Sequence, residues 1–169
     1  MSTSTSTSTA QQIAERVGEG MLRNDRATRT LGMSVLAIAP GAATLSMRVR
    51  EDMLNGHDTC HGGFIATLAD SAFAFACNSY DELTVASSFG IDFIAPARQG
   101  DQLTASCIEI SKSGRTGVYD TEVTNQRGER IAVFRGRSHT MKGKPAVGST
   151  ASETGTVTET LAIGRGDNP

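Results

Sequence analysis

Apolar positions recur along the chain at changing spacings, and those spacings divide it into elements. Over residues 10–29, Ile13, Val17, Met21 and Leu22 fall at helical intervals, which predicts one or two short helices weakened in the middle by Gly18 and Gly20. From Leu31 the period changes. Met33–Ile38 reads as a strand, Pro40-Gly41 as a turn, and residues 43–50 alternate at period two, so a hairpin is predicted. The stretch Asn55–Ser79, NGHDTCHGGFIATLADSAFAFACNS, opens as a loop and enters an apolar segment long enough for about four helical turns. Beyond Tyr80-Asp81-Glu82 the strand period returns. Residues 84–95 put Phe89, Ile91 and Phe93 on one face and stop at Pro96. Residues 101–111 and 116–125 meet at Lys112-Ser113-Gly114-Arg115, and 129–140 follow the turn Asn125–Gly128. Short turns between these last four strands predict an antiparallel meander.

The long helix is unusual in what it lacks. Between His61 and Tyr80 the only formally charged side chain is Asp70, whereas a helix on a protein surface turns a charged stripe to water. It is therefore expected to be enclosed, with one carboxylate carried inside. At steps of about 100° per residue, Phe64, Ile65, Leu68, Ala72, Phe75 and Ala76 share the core face. Asp70 falls on the other side among Ala66, Thr67 and Ala74, with Ser71 and Asn78 at the margin, a small-residue surface that another backbone or a slender ligand can approach. An unpaired buried acid is costly and is tolerated at functional sites; the alternative is a structural Asp bonded to a backbone amide or a nearby hydroxyl.

A hairpin, a long apolar helix and four antiparallel strands make an α+β domain in which the sheet wraps the helix. One helix flank and one sheet edge are left uncovered, which predicts oligomerisation. The domain is expected to span residues 10–142. Residues 1–9, a Ser-Thr alternation, bury nothing and are expected to be disordered, and residues 143–169, rich in Gly, Ser and Thr, are expected to form a flexible tail. The net charge of −2 excludes a generally basic, nucleic-acid-binding surface. Cys60, Cys77 and Cys107 are odd in number, without CxxC spacing, and fit a reducing compartment. With neither a signal-like start nor an apolar run of membrane-spanning length, the expected location is the cytoplasm.

The candidate chemistry lies where the helix begins. Gly62 and Gly63 allow close approach to the backbone, and first-turn amides at the positive end of the helix dipole can hold an oxyanion. Asp70, about two turns on, is placed to act as a base for water or as a nucleophile. Asn55 is a candidate for orienting that water or polarising a carbonyl, and His61 for fixing the loop. These are the parts needed to hydrolyse an activated acyl group. Three competing readings use the same residues: a metal pair from His57 and His61, a Cys–His nucleophile from Cys60 and His61, and a module that binds an acyl or aromatic ligand without turnover.

The order NGHxxCHGGxxxxLADxAFAxACNS, then GIDFIAPARQGDQLTA, SGRTGVYD and VFRGRSH, resembles the hotdog-fold thioesterases of the phenylacetate-degradation type, the PaaI group, over about residues 20–142. The resemblance implies a hotdog fold, with a long central helix wrapped by a curved antiparallel sheet, paired into dimers and then into a homotetramer, with active sites at the dimer interface. It implies hydrolysis of acyl-CoA thioesters, phenylacetyl and hydroxyphenylacetyl groups preferred, without metal or organic cofactor. Carried over by motif, Asp70 is the nucleophile or general base, Gly62 the oxyanion amide, His61 the loop anchor and Asn55 the group orienting thioester or water. Substrate and CoA contacts fall at Gly63, Phe93, Arg98, Lys112, Ser113, Gly114, Arg115, Thr116, Gly117 and His139. Arg98, Lys112 and Arg115, in or beside predicted turns, suit the phosphates of CoA. The chain departs from its relatives on the strand after the helix. Where those with a similar HGG loop carry a catalytic Ser or Thr it has Ala86, with Ser87 and Ser88 beside it, and neither serine joins the expected catalytic set. A hydratase or dehydratase on the same fold uses a His-containing motif that this sequence lacks.

Overall fold

The computed structural model describes residues 8–148. The expectations for residues 1–7 and 149–169 lie outside that range. Helices α1 (Ala10–Asn24) and α2 (Arg26–Thr30) precede strands β1 (Ser34–Ala39) and β2 (Ala42–Arg48), then the long helix α3 (Gly62–Asn78), then β3 (Thr84–Phe93), β4 (Gln102–Ser113), β5 (Thr116–Thr124) and β6 (Arg130–Thr140). The strands form one six-stranded antiparallel sheet in the order β1-β2-β4-β5-β6-β3.

The sheet wraps α3, as the missing charged stripe demanded: no residue from Phe64 to Ser79 is fully exposed. Ile65, Leu68, Ala72, Phe75 and Ala76 are buried together with Leu45, Met47, Leu103, Ala105 and Val123 from the strands. Each large side chain so buried contributes about 1.5–3 kcal/mol. Phe73 wedges between Tyr119 and Phe134, at ring separations of 5.3 and 5.9 Å. It fits because Gly136 beneath it has no Cβ, which would stand 3.0 Å from the ring.

The expected four-strand meander is corrected. Only β4-β5-β6 is a meander; β3 lies at the far edge beside β6, and β4 pairs with β2. The segment between β3 and β4 is a crossing rather than a turn. Ile94 donates to the Ile131 carbonyl, Ala97 accepts from the Cys60 amide at 2.8 Å, and Asp101 accepts from Val49 at 2.9 Å. The chain thus passes beneath the start of α3 from the β6 side to the end of β2. Pro96, read from sequence as a simple stop, lies within that crossing.

Both edges of the expected tail and leader depart from disorder. Thr9 caps α1 through a reciprocal capping box with Gln12. Residues 143–148 are docked: Lys144 accepts from Leu83, Ala146 donates to the Asp81 carboxylate, and Val147 packs on Gly20 of α1. The edge at β1 is covered by α1, whose Gln11 Nε2 donates to the Ile38 carbonyl at 2.9 Å. β3 has no neighbour on its outer side among the described residues, and Val85, Phe89, Phe93 and Ile94 stand exposed along it.

Candidate active site

The loop ahead of α3 is held by its own polar groups. Asn55 Oδ1 accepts from the His57 amide at 2.9 Å and its Nδ2 donates to Thr59 Oγ1 at 3.0 Å. Asn55 therefore knots the loop, and the expected role of orienting substrate or water falls to a side chain already engaged. Asp58 takes a left-handed conformation, φ 56°, to close the turn. His61 is the N-cap of α3: its Nδ1 accepts from the Gly63 amide at 3.0 Å, which leaves the ring proton on Nε2. His61 thus holds the first turn of α3 through Gly63.

The same bond separates two glycines that the sequence treated alike. The Gly63 amide is taken by His61 Nδ1 and the Phe64 amide by the His61 carbonyl at 2.9 Å. Among the described residues the Gly62 N–H has no acceptor. One donor at the positive helix end is thus left for an oxyanion.

Asp70 makes no hydrogen bond and no ion pair among the described residues. The backbone or hydroxyl partner that a structural Asp would need is not there. Its carboxyl is half-buried, and burial pushes it above the usual carboxylate range. It lies on the half-open stripe Ala66, Thr67, Asp70, Ser71 and Ala74. That stripe is turned by about 60° from Phe73, which packs on β6. The inner face of β3, the open edge strand, carries Phe89 and Phe93. Phe89 stacks on Phe134 at 5.0 Å, and Phe93 lies against Gly62.

A single chain does not bring every expected residue together. Asp70 is eight residues from Gly62, about 12 Å along the helix axis and beyond the reach of its side chain. The expected CoA residues split into two groups. Phe93 and the exposed Arg98 sit near the helix start. Lys112, Ser113, Gly114, Arg115, Thr116, Gly117 and His139 cluster at the other end of the sheet, where Thr116 and Val85 both pair with His139. From Phe93 to Val85 along β3 is about 26 Å. In that distant group Gly114 makes the hairpin turn at φ 61°, and Arg115 is exposed with its carbonyl accepting from Thr140. Lys112 is already engaged, 3.0 Å from Glu82 and 4.0 Å above the Tyr80 ring. These two partners were missed from the sequence, where Tyr80-Asp81-Glu82 marked only the end of an apolar run. Ala86 faces the α3 side opposite Ser138, while Ser87 sits at a bulge and gives its hydroxyl to the Arg137 carbonyl at 3.0 Å.

The competing chemistries fare worse. Cys60 is buried and its thiol is pushed up to about 11 by burial, so it is protonated at neutral pH and no nucleophile. No group of three or more His, Cys, Asp or Glu that could hold a metal ion occurs among the described residues. Two grooves, one between α1 and β1 and one on the outer face of the sheet, leave Asp70 outside both.

The sequence from residue 57 to 132 matches the thioesterase superfamily. The chain is 45% identical over 123 residues to the acyl-coenzyme A thioesterase PaaI of Escherichia coli K12, covering 73% of this chain and 88% of that protein. It is 30% identical over 138 residues to human acyl-coenzyme A thioesterase 13, covering 79% of this chain and 97% of that one. The solved structure of the E. coli PaaI protein superposes with a TM-score of 0.79 at 41% identity, over 80% of this chain and 99% of that one. The six-stranded sheet around a long helix is the hotdog fold. No described helix is long and apolar enough to cross a membrane.

Proposed function

Since this chain belongs to the thioesterase superfamily, we propose that it hydrolyses acyl-CoA thioesters, phenylacetyl- or hydroxyphenylacetyl-CoA foremost, to the free acid and CoA. The observation that carries the reading is an unpartnered carboxylate, Asp70, on the open flank of a helix whose first amide, Gly62, also lacks a partner.

The two groups meet if the protein works as a homodimer. Ala66 is midway between Gly62 and Asp70, on a stripe of small residues. A two-fold axis beside it lays α3 antiparallel to its copy, at a helix separation of about 8–10 Å. Asp70 of one subunit then stands level with Gly62 of the other. The same operation joins the free β3 edges antiparallel and covers their exposed apolar side chains. It also exchanges the ends of the sheet, carrying the Lys112–Gly117 and His139 end of one subunit toward the helix start of its partner. The homotetramer is then a pair of such dimers, and cytoplasmic residence agrees with the three free thiols.

In the reaction the thioester oxygen sits on the Gly62 N–H, where developing negative charge meets the helix dipole. Asp70 either removes a proton from water as the oxygen adds to the carbonyl carbon, or attacks that carbon itself to give an anhydride that water then opens. The C–S bond breaks on either route, and CoA leaves as a thiolate that takes up the proton. His61 keeps the helix start rigid through Gly63. The proposal calls on no metal or organic cofactor.

A panel of acyl-CoA substrates assayed by free-thiol release tests the reading, with Asp70→Asn as control. Turnover that collapses in the variant while its fold and CoA binding persist is the expected result. Binding without thiol release by the unsubstituted protein overturns it in favour of a non-catalytic acyl or CoA-binding module.

A further inference from the structure

Lys112 is held by a loop that the chemical step does not use. It is the least exposed cation of the described ion pairs, at 23%, where the arginines of the other pairs stand 40–60% exposed. Its Nζ lies 3.0 Å from Glu82 Oε2 and 4.0 Å from the centre of the Tyr80 ring. Both partners are fixed from behind. The Tyr80 hydroxyl fits against Gly41, where a Cβ would stand 2.7 Å from it. Glu82 lies between two anchored residues. The Asp81 carboxylate accepts from the Ala146 amide at 3.2 Å and from Arg16 at 2.7 Å. Leu83 donates to the Lys144 carbonyl and accepts from the Met141 amide, both at 2.8 Å. The ammonium is thus set in place before a ligand arrives, with its charge already offset by a carboxylate.

Tyr80 follows Asp70 by ten residues, about 15 Å along the α3 axis. An anion at Lys112 is therefore a separate group from the reacting carbonyl, joined to it by a long arm, as the phosphates of CoA are to its thioester. We propose that Tyr80 and Glu82 are positioning residues of opposite effect on the grip for phosphate: Tyr80 fixes the Lys112 ammonium in place, and Glu82 competes with the incoming phosphate for it. The inference rests on the thioesterase reading and deepens it at the CoA end of the substrate. A phosphate monoester is close to doubly charged at neutral pH and displaces a single carboxylate. The ring beneath the ammonium removes side-chain freedom that binding would otherwise have to freeze. The competition weakens the hold on substrate and on released CoA alike, because the phosphates do not change as the thioester reacts. A tightly held leaving group would block the next turnover, and Glu82 keeps it loose.

The test reads Kd for CoA by calorimetry and KM for phenylacetyl-CoA by thiol release. Glu82→Gln, which keeps the size and loses the charge, lowers both by about two- to fivefold, the scale of one exposed ion pair, while kcat does not rise. Tyr80→Leu raises both, and Tyr80→Phe, which restores the ring face, reverses most of that rise. The opposite signs set positioning apart from a structural role, in which both substitutions would weaken binding. The gain from Glu82→Gln disappears in a Lys112→Ala background, and with S-phenylacetyl-pantetheine, which carries no phosphate. Dephospho-CoA separates the two sources of phosphate: a gain retained there puts the diphosphate on Lys112, and a gain lost puts the 3′-phosphate there. A Kd raised or unchanged by Glu82→Gln overturns the inference, as does an equal gain with the pantetheine ester or without Lys112. Absence of thiol release by the unsubstituted protein is a different result: it refutes the thioesterase reading, and the CoA affinities still decide the inference.

Discussion

A site shared between subunits makes a quantitative prediction about mixed dimers. Gly62 is the first residue of α3, and a proline there removes the N–H with little harm to the helix, because that donor has no intrahelical acceptor. The preceding residue, His61, already has φ −60° and ψ 131°, the conformation that a following proline requires. Gly62→Pro therefore deletes the oxyanion donor, and loss of one such donor costs about 100- to 1,000-fold in kcat, or roughly 3–4 kcal/mol. Gly62→Ala, which keeps the N–H, controls for the contact of a new Cβ with Phe93. Asp70→Asn deletes the carboxylate. Each homodimer should be nearly inactive. When the two are unfolded together, refolded and mixed in equal amounts, about half of the dimers are mixed and one of their two sites combines an intact Gly62 with an intact Asp70, so about one quarter of wild-type thiol release returns. If each site drew both groups from one chain, mixing would restore nothing. The 12 Å axial separation, about eight rises of 1.5 Å, argues for the first outcome. Failure of the mixture to exceed the sum of its parents, with mixed dimers verified by mass, refutes the shared site.

Other consequences can be measured on the same protein. Burial raises the Asp70 pKa, so folding disfavours its charge: stability from this group is greatest at acid pH and falls as pH rises from the ordinary carboxylate pKa through the raised one. Asp70→Asn should consequently raise Tm at neutral pH while abolishing turnover, and a lowered Tm would indicate a structural Asp. Activity of the unsubstituted protein should rise with pH through that same elevated pKa, and a profile flat across the carboxylate range would remove Asp70 as base or nucleophile. The thiols Cys60, Cys77 and Cys107, pushed up to about 11, 12 and 12 and all buried, should resist iodoacetamide in the native protein; rapid alkylation with loss of activity would restore Cys60 as a nucleophile. Phe89→Lys, at a ring 49% exposed on the free edge strand, should give an inactive monomer by light scattering, whereas an active dimer would place the interface elsewhere. Tyr119→Phe strips the Glu109 carboxylate of a 2.7 Å hydrogen bond and should cost about 1–3 kcal/mol in urea unfolding, with activity retained.

What the sequence disclosed follows from which interactions are local. The enclosure of α3 was legible because a solvent-facing helix cannot do without charge, and Asp70 stood out because nothing else on its face was ionised. His61 as an N-cap was likewise readable, since it contacts Gly63 within the next turn. Pairing order was not: the neighbour of β3 depends on where the chain from Ile94 to Asp101 travels, and that path is set by bonds to Cys60 and Val49, residues distant in sequence. The engagement of Asn55 by its own loop was within reach, because Asn followed two residues later by a turn is a familiar backbone-mimicking arrangement. Lys112 shows the opposite failure. Its partners Glu82 and Tyr80 lie about thirty residues earlier, and no periodicity links a hairpin turn to the end of a helix. The spacing of Gly62 and Asp70 remains the most instructive case. Eight residues place them on neighbouring faces of one helix, which on a helical wheel looks like proximity, yet the axial rise separates them by more than a side chain's length. Two groups that chemistry wants together and one helix holds apart would be reconciled by a second, antiparallel helix, and in the proposed dimer the stripe of small residues between them is the surface that would admit it.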